Sequence, residues 1–291
     1  MPARIIVPLD GSTFAEDALA TAMALVDESG SLDLVTVTEG APPFAVPEYE
    51  ELAREWALEY LDGLTEKLPP GIQAHSVPLV GRPSERLRSF IEDSEADLVV
   101  MATHGRGPLT RAWLGSVADS LIRGSRLPLL LVHPQDPDEP SYQADLPLRK
   151  ILVPLDGSSL AESAVDGAIS ILGQDLDLTL LRVVQSPIPS LYPYVPDATR
   201  IEEESARAKA QAEEHLAEVS QKYQGVARSV GLEVIDSDHV GRAIVELAEA
   251  SDFDAIAIAT HGRGGVGRFA LGSVADKVIR STRLPVLTLR P

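Results

Sequence analysis

The sequence predicts an α/β protein built as two tandem, doubly wound domains, each a five-stranded parallel sheet flanked by helices. Three observations carry that prediction: a long internal repeat, an alternation of short β-branched or leucine-rich runs with amphipathic stretches, and a length of 291 residues, about twice that of one ordinary domain. Arg4-Ile5-Ile6-Val7-Pro8-Leu9-Asp10-Gly11-Ser12 returns as Lys150-Ile151-Leu152-Val153-Pro154-Leu155-Asp156-Gly157-Ser158. Ala102-Thr103-His104-Gly105-Arg106-Gly107 returns as Ala259-Thr260-His261-Gly262-Arg263-Gly264, and Leu114-Gly115-Ser116-Val117-Ala118-Asp119 as Leu271-Gly272-Ser273-Val274-Ala275-Asp276. A repeat this long marks a duplicated domain, not a short solenoid unit. Between the copies, Pro134-Gln135-Asp136-Pro137-Asp138-Glu139-Pro140 has the composition of a stiff, solvated linker. The expected division is a first domain at 1–133, a linker at 134–147 and a second domain at 148–291.

Taken in order, the first copy places strands near 4–9, 32–38, 72–79, 97–102 and 127–132, and the second near 150–155, 177–184, 232–237, 254–259 and 285–289. Four helices fill the gaps in each copy. One starts after Ser12 or Ser158, both suited to an N-cap, and another starts near Gly115 or Gly272. The third connection differs most between copies. Residues 197–231 carry a longer helical pattern, with Leu216, Val219, Tyr223, Val226 and Val230 along one face.

Composition narrows the function classes. With 25 Lys+Arg against 44 Asp+Glu the formal charge is −19, which repels phosphate backbones and anionic lipid, so no nucleic-acid or membrane partner is expected. The absence of cysteine removes disulfides, thiolate metal sites and cysteine nucleophiles. No apolar run approaches the roughly 20 residues of a membrane helix. Nothing basic and long-apolar precedes Arg4, so no secretory leader is expected and the expected location is the cytoplasm.

In an open parallel sheet, ligands bind beyond the carboxyl ends of the strands, where the strand order reverses. Both repeated motifs fall there. Asp10 and Asp156 finish the first strand of each copy, and the stretches from Gly105 and Gly262 follow the fourth. If strands one and four are neighbours, each aspartate faces a glycine-rich turn. That turn and the following helix start offer backbone N–H groups at Gly105, Gly115, Ser116 and Val117, and at Gly262, Gly272, Ser273 and Val274, a natural seat for phosphate. Turn geometry and a helix start would also use these glycines.

These residues resemble the universal stress protein family, in its ATP-binding branch, over nearly the whole chain. The family pattern is Gly-x2-Gly-x9-Gly-Ser/Thr after the fourth strand, with an aspartate ending the first. Gly105 with Gly115-Ser116, and Gly262 with Gly272-Ser273, fit it, while the opening glycine is replaced by Ala102 and Ala259. The resemblance implies strand order 3-2-1-4-5 and an adenine nucleotide, ATP with ADP or AMP as alternatives, between strands one and four. It implies that Asp10 and Asp156 bond the nucleoside, that the backbone at Val37 and Val183 reads adenine, and that the glycines and serines cradle the phosphates. Arg106 and Arg263 would either pair with a phosphate oxygen or point to solvent. His104 and His261 are read as orienting donors, not general acids, and Mg2+ would arrive bridging the phosphates. The copies are expected to pair as a pseudo-dimer through their last strands, with a further homodimer left open.

Three functions remain in play at this level: a stress-response protein using ATP as a regulatory ligand, a slow ATP hydrolase or phosphotransferase, and a nucleotide-free interaction scaffold. No P-loop Gly-x4-Gly-Lys-Ser/Thr is present, and no catalytic residue is assigned.

Overall fold

A computed structural model of the chain describes residues 1–42, 48–103, 114–133, 148–185, 198–260 and 271–290. They fall into two compact units, Met1–Pro147 together with Pro285–Arg290, and Leu148–Leu284. The expected linker, and the segments holding His104, Gly105, Arg106, His261, Gly262 and Arg263, lie outside the described residues.

The first unit contains β1 (Arg4–Leu9), α1 (Thr13–Leu25), β2 (Ser31–Thr38), α2 (Tyr49–Thr65), β3 (Gln73–Val80), α3 (Pro83–Asp93), β4 (Leu98–Ala102), α4 (Ser116–Gly124) and β5 (Leu129–Val132). Its strands run parallel in the order β3-β2-β1-β4-β5, as expected. Strand β1 lies in the middle because its apolar centre needs no water: Ile5, Ile6 and Val7 are fully buried. Helix α1 covers β1 and β4 with small and apolar residues, among them Ala18, Leu19, Ala22 and Met23. Asp97, just before β4, accepts from the backbone N of Ala3 (2.8 Å) and Arg4 (3.0 Å), fastening the start of β4 to the start of β1. Asp33, 1% exposed in β2, is held by Arg4 (2.8 Å) and by His75 Nδ1 (3.2 Å), so its buried carboxylate is paired from both neighbouring strands.

The second unit repeats the scheme with β6 (Lys150–Pro154), α5 (Ser159–Leu172), β7 (Asp177–Val184), α6 (Ala198–Gln221), β8 (Ser229–Asp236), α7 (Val240–Ala250), β9 (Ala255–Ala259) and α8 (Ser273–Ser281). Its strands follow the order β8-β7-β6-β9. Asp254 holds the backbone N of Arg149 and Lys150, each at 2.8 Å, as Asp97 does in the first copy. The closing strand of the second sequence copy, β10 (Val286–Leu289), belongs to the first unit, where it runs antiparallel to β5 with Val286 opposite Leu131.

One expectation needs correction. The helical pattern was expected to run on through Val226 and Val230, whereas α6 stops at Gln221. The last turn tightens through bonds from Lys222 N to Val219 O (3.1 Å) and Tyr223 N to Ser220 O (3.0 Å), and Gly225 then takes φ +79°, open to glycine without strain. Leu216, Val219 and Tyr223 are buried as expected, Val226 is exposed, and Val230 pairs with Leu178 in a strand that begins three residues before 232. Val-Gly-Arg occurs at 80–82 and at 240–242 in different structures. Pro83 disfavours helical backbone at Arg82, so α3 starts at the proline; with Ala243 in its place, α7 starts at Val240.

Helix α6 is fastened to α5 by polar contacts. Glu162 accepts from Lys222 Nζ (2.8 Å) and sits 3.2 Å from His215 Nε2, while Tyr223 donates its hydroxyl to Asp166 (3.0 Å). Lys222, and to a smaller degree His215, hold the Glu162 carboxyl below its ordinary range against the opposing effect of burial. Burial, then the bond to Asp166, pushes the Tyr223 hydroxyl well up. A carboxyl whose folded pKa is depressed stabilises the fold fully above its unfolded value, and that stabilisation fades as the pH falls through the folded value. Glu162→Gln should therefore cost about 1 kcal/mol near neutral pH, the scale of an exposed pair with one charged hydrogen bond. Denaturant titrations at successive pH values should show the difference from wild type shrinking as the pH drops below 4.5.

Candidate functional site

The first half of the site is a turn repeated in both copies. After β1, Asp10 Oδ1 accepts from Ser12 N (3.0 Å) and Ser12 Oγ (2.5 Å), and Ser12 Oγ accepts from Ala15 N (3.3 Å) to cap α1. After β6, Asp156 Oδ1 accepts from Ser158 N (2.9 Å) and Oγ (2.5 Å), and Ser158 Oγ caps α5 at Ala161 N (3.1 Å). The glycine between has φ +81° at Gly11 and +82° at Gly157, which bends the chain back so that the aspartate meets the serine. Both aspartates are half-buried and fixed in orientation, one oxygen engaged by the turn.

The second half lies on the adjoining strand. Ile5 pairs with Leu98 in the first unit and Ile151 with Ala255 in the second, so strands one and four are neighbours and the order reverses between them. Ala102 and Ala259 end β4 and β9 in buried positions. Gly115 N donates to Thr103 O and Gly272 N to Thr260 O, each at 2.9 Å, so the connection leaves and re-enters at one point above the strand end. A Cβ at Gly115 would sit 3.3 Å from Thr103 O, and one at Gly272 3.4 Å from Thr260 O, a close approach that favours glycine. Helices α4 and α8 then open with exposed Ser116 and Ser273, followed by half-buried Val117 and Val274, whose N–H groups have no partner within the helix. One turn on, Asp119 pairs with Arg123 and Asp276 with Arg280, both at 2.9 Å, which tempers the acidic charge near the helix starts.

The second strand outruns the first. Register between β1 and β2 ends at Leu9 with Thr36, leaving Val37 and Thr38 beyond β1; β6 ends opposite Leu181, leaving Arg182, Val183 and Val184 beyond it. The half-buried Val37 and Val183 therefore present their first-strand side past the end of that strand, next to Asp10 and Asp156. Arg182, at the position of the buried Thr36, donates to Leu155 O (3.1 Å), immediately before Asp156.

In the second unit the residue after β7 and the starts of α7 and α8 border a cleft of about 560 Å³, which Asp156 and Val183 do not line. Of the residues expected from sequence, Ser273 and Val274 line it; Gln185, Asp238, His239, Arg242 and Lys277 line it without having been expected. Gln185 follows β7 and donates to Asp238 O (3.2 Å), closing the turn before α7. Gly241 lies against α8 so closely that a Cβ there would come within 2.9 Å of both Cβ and Cγ of Lys277, which runs across it. The repeat of Val80-Gly81-Arg82 at 240–242 touches this lining, and the two copies differ in charge at several of its other positions. Among the described residues no cluster of His, Asp and Glu suits a metal ion, and no helix is long and apolar enough to cross a membrane.

A model of the universal stress protein family matches residues 1–133 and 147–290. A universal stress protein of Mycobacterium tuberculosis is 30% identical over 202 residues, 68% of this chain and 63% of the relative, so the chain matches under two thirds of the length of such relatives. Another, from Mycobacterium bovis, is 26% identical over 98% of this chain and 94% of its own. The crystal structure of a universal stress protein from Archaeoglobus fulgidus superposes with a TM-score of 0.66, covering 99% of this chain and 96% of that one at 18% identity, which establishes likeness of fold.

The carboxylates carry a structural duty beside any role toward a ligand, and the two can be separated. Asp10→Ala removes the acceptor of both Ser12 bonds and should cost about 1 kcal/mol through the weakened start of α1, whereas Asp10→Asn keeps an acceptor oxygen and should cost less. Equal losses for the two variants in denaturant titrations would show that charge, not the turn, is what the fold needs there.

Proposed function

Because the chain belongs to the universal stress protein family, we propose that each of its two domains holds an adenine nucleotide, ATP with ADP or AMP as alternatives, as a regulatory ligand in a cytoplasmic stress response. The observation that supports this reading most is the convergence, made twice, of an oriented aspartate and a Gly-Ser-Val helix start at neighbouring strand ends where the strand order reverses. Asp10 and Asp156 accept from the nucleoside. Backbone groups at Val37 and Val183, lying past the end of the adjoining strand, meet the adenine edge. Ser116, Val117, Ser273 and Val274 donate N–H groups, and the serines hydroxyls, to the phosphates, whose remaining charge Mg2+ would help to neutralise. In the second domain the cleft that Ser273 and Val274 line, about 560 Å³, falls within the roughly 300–1,000 Å³ of small-molecule sites.

The donors gathered here stabilise bound phosphate in ground state and transition state alike, which yields affinity without rate. Signal then comes from a shift between conformations that bind nucleotide differently. The β5–β10 ladder supports the expected pairing of the last strands of the two copies.

Native mass spectrometry of the purified chain should detect co-purified adenine nucleotide, and calorimetry should count two equivalents. Asp10→Asn and Asp156→Asn should each weaken one equivalent by roughly ten- to hundred-fold, the scale of one charged hydrogen bond. Unaltered affinity in the double variant would remove the aspartates from the site. With ATP and magnesium, phosphate release should stay well below about one per second, the lower end for dedicated kinases; multiple turnovers per second, lost on Ser116→Ala with Ser273→Ala, would make the protein an enzyme.

A further inference from the structure

The two crevices share a backbone plan and differ in charge. Strand register matches Gln185 with Glu39, and the helix bounds match Asp238 with Gly81, His239 with Arg82, Arg242 with Glu85 and Lys277 with Ser120. Across these five positions the first copy has one arginine against two glutamates. The second has an arginine and a lysine against one aspartate, with a histidine besides. The rim thus changes from net negative to net positive, in a chain whose formal charge is −19. Lys277 is exposed, stands one turn beyond Ser273 on α8, lines the cleft and packs the base of its stem against Gly241. Arg242 lies opposite on α7, its guanidinium 2.6 Å from Glu246 in an exposed pair too weak to withhold it from a phosphate.

We propose that the cleft of the second domain is a polyphosphate-selecting site, in which Lys277 and Arg242 bind the outer phosphates and so discriminate ATP from AMP, while the first domain lacks that discrimination. The inference rests on the nucleotide reading above and adds to it which site reads phosphate number. A cation beside the outer phosphates of a triphosphate gains a charge-assisted bond that a monophosphate does not offer. In the first domain the matching positions hold Glu39, Glu85 and Ser120 beside one cation, Arg82, itself 3.2 Å from Glu85, so added phosphates meet a net negative rim with no lysine at the place of Lys277.

Calorimetry of the full chain with AMP, ATP and inorganic tripolyphosphate tests this, comparing wild type, Lys277→Ser and Ser120→Lys. Lys277→Ser should weaken one ATP-binding event about tenfold or more and leave AMP within twofold. Ser120→Lys should strengthen the other ATP-binding event while sparing AMP. Equal loss of AMP and ATP on Lys277→Ser, or no loss of either, overturns the proposal and leaves the nucleotide reading standing. Tripolyphosphate binding that depends on Lys277, without binding of any adenine nucleotide, upholds the polyanion site and overturns the nucleotide reading. Binding of none of the three probes overturns both.

Discussion

Each domain hangs on one apolar strand bonded along both edges, β1 in the first copy and β6 in the second. A central strand with neighbours on either side forces the chain to build first in one direction and later in the other, and the connections depart to opposite sides. The gap left above the strand end is a product of that topology before any side chain is considered. Everything polar in the site is arranged around this gap. The aspartate stands at the tip of the central strand, the Gly-Ser helix start stands on one neighbour, and the overhanging valine stands on the other.

The strands and the cap were legible because local chemistry and global packing demand the same residues. Ser12 and Ser158 are good N-caps in isolation and are caps in the fold, and the fully buried runs at 5–7 and 151–153 have no alternative to the middle of a parallel sheet. The region after Gln221 was not legible, because the apolar positions 216, 219, 223, 226 and 230 keep a helical period across a break that one left-handed glycine makes. Periodicity registers where apolar residues are and does not register a chain reversal that leaves them in step. The repeated Val-Gly-Arg shows the converse: identical residues take different structures because a proline follows one of them.

The site was legible in its backbone half and hidden in its side-chain half. Gly115, Ser116, Gly272 and Ser273 stand at helix starts beside the fourth-strand ends, where the repeat placed them. Lys277, His239 and Gln185 become neighbours only through the packing of α7 on α8, and Gly241 is required there by the stem of a lysine thirty-six positions further on, a contact no local pattern announces. The Asp-Gly-Ser turn has a complete account in chain geometry. The duplication of that motif is therefore explained by folding even without a ligand, and the weight of the functional reading falls on where the turn stands.

The position of β10 has a bearing on how the molecule is made. Thr288 donates its hydroxyl to Leu129 O at 3.1 Å across a sequence separation of 159 residues, in a buried ladder that completes the first unit. A ribosome finishes β5 and then produces the whole intervening domain before β10 exists. During that interval the leucine-rich edge at 129–132 has no strand to cover it, and closing so distant a contact is slow. The half of the protein synthesised first is thus the half completed last, and the nascent chain carries a sticky edge for most of its birth.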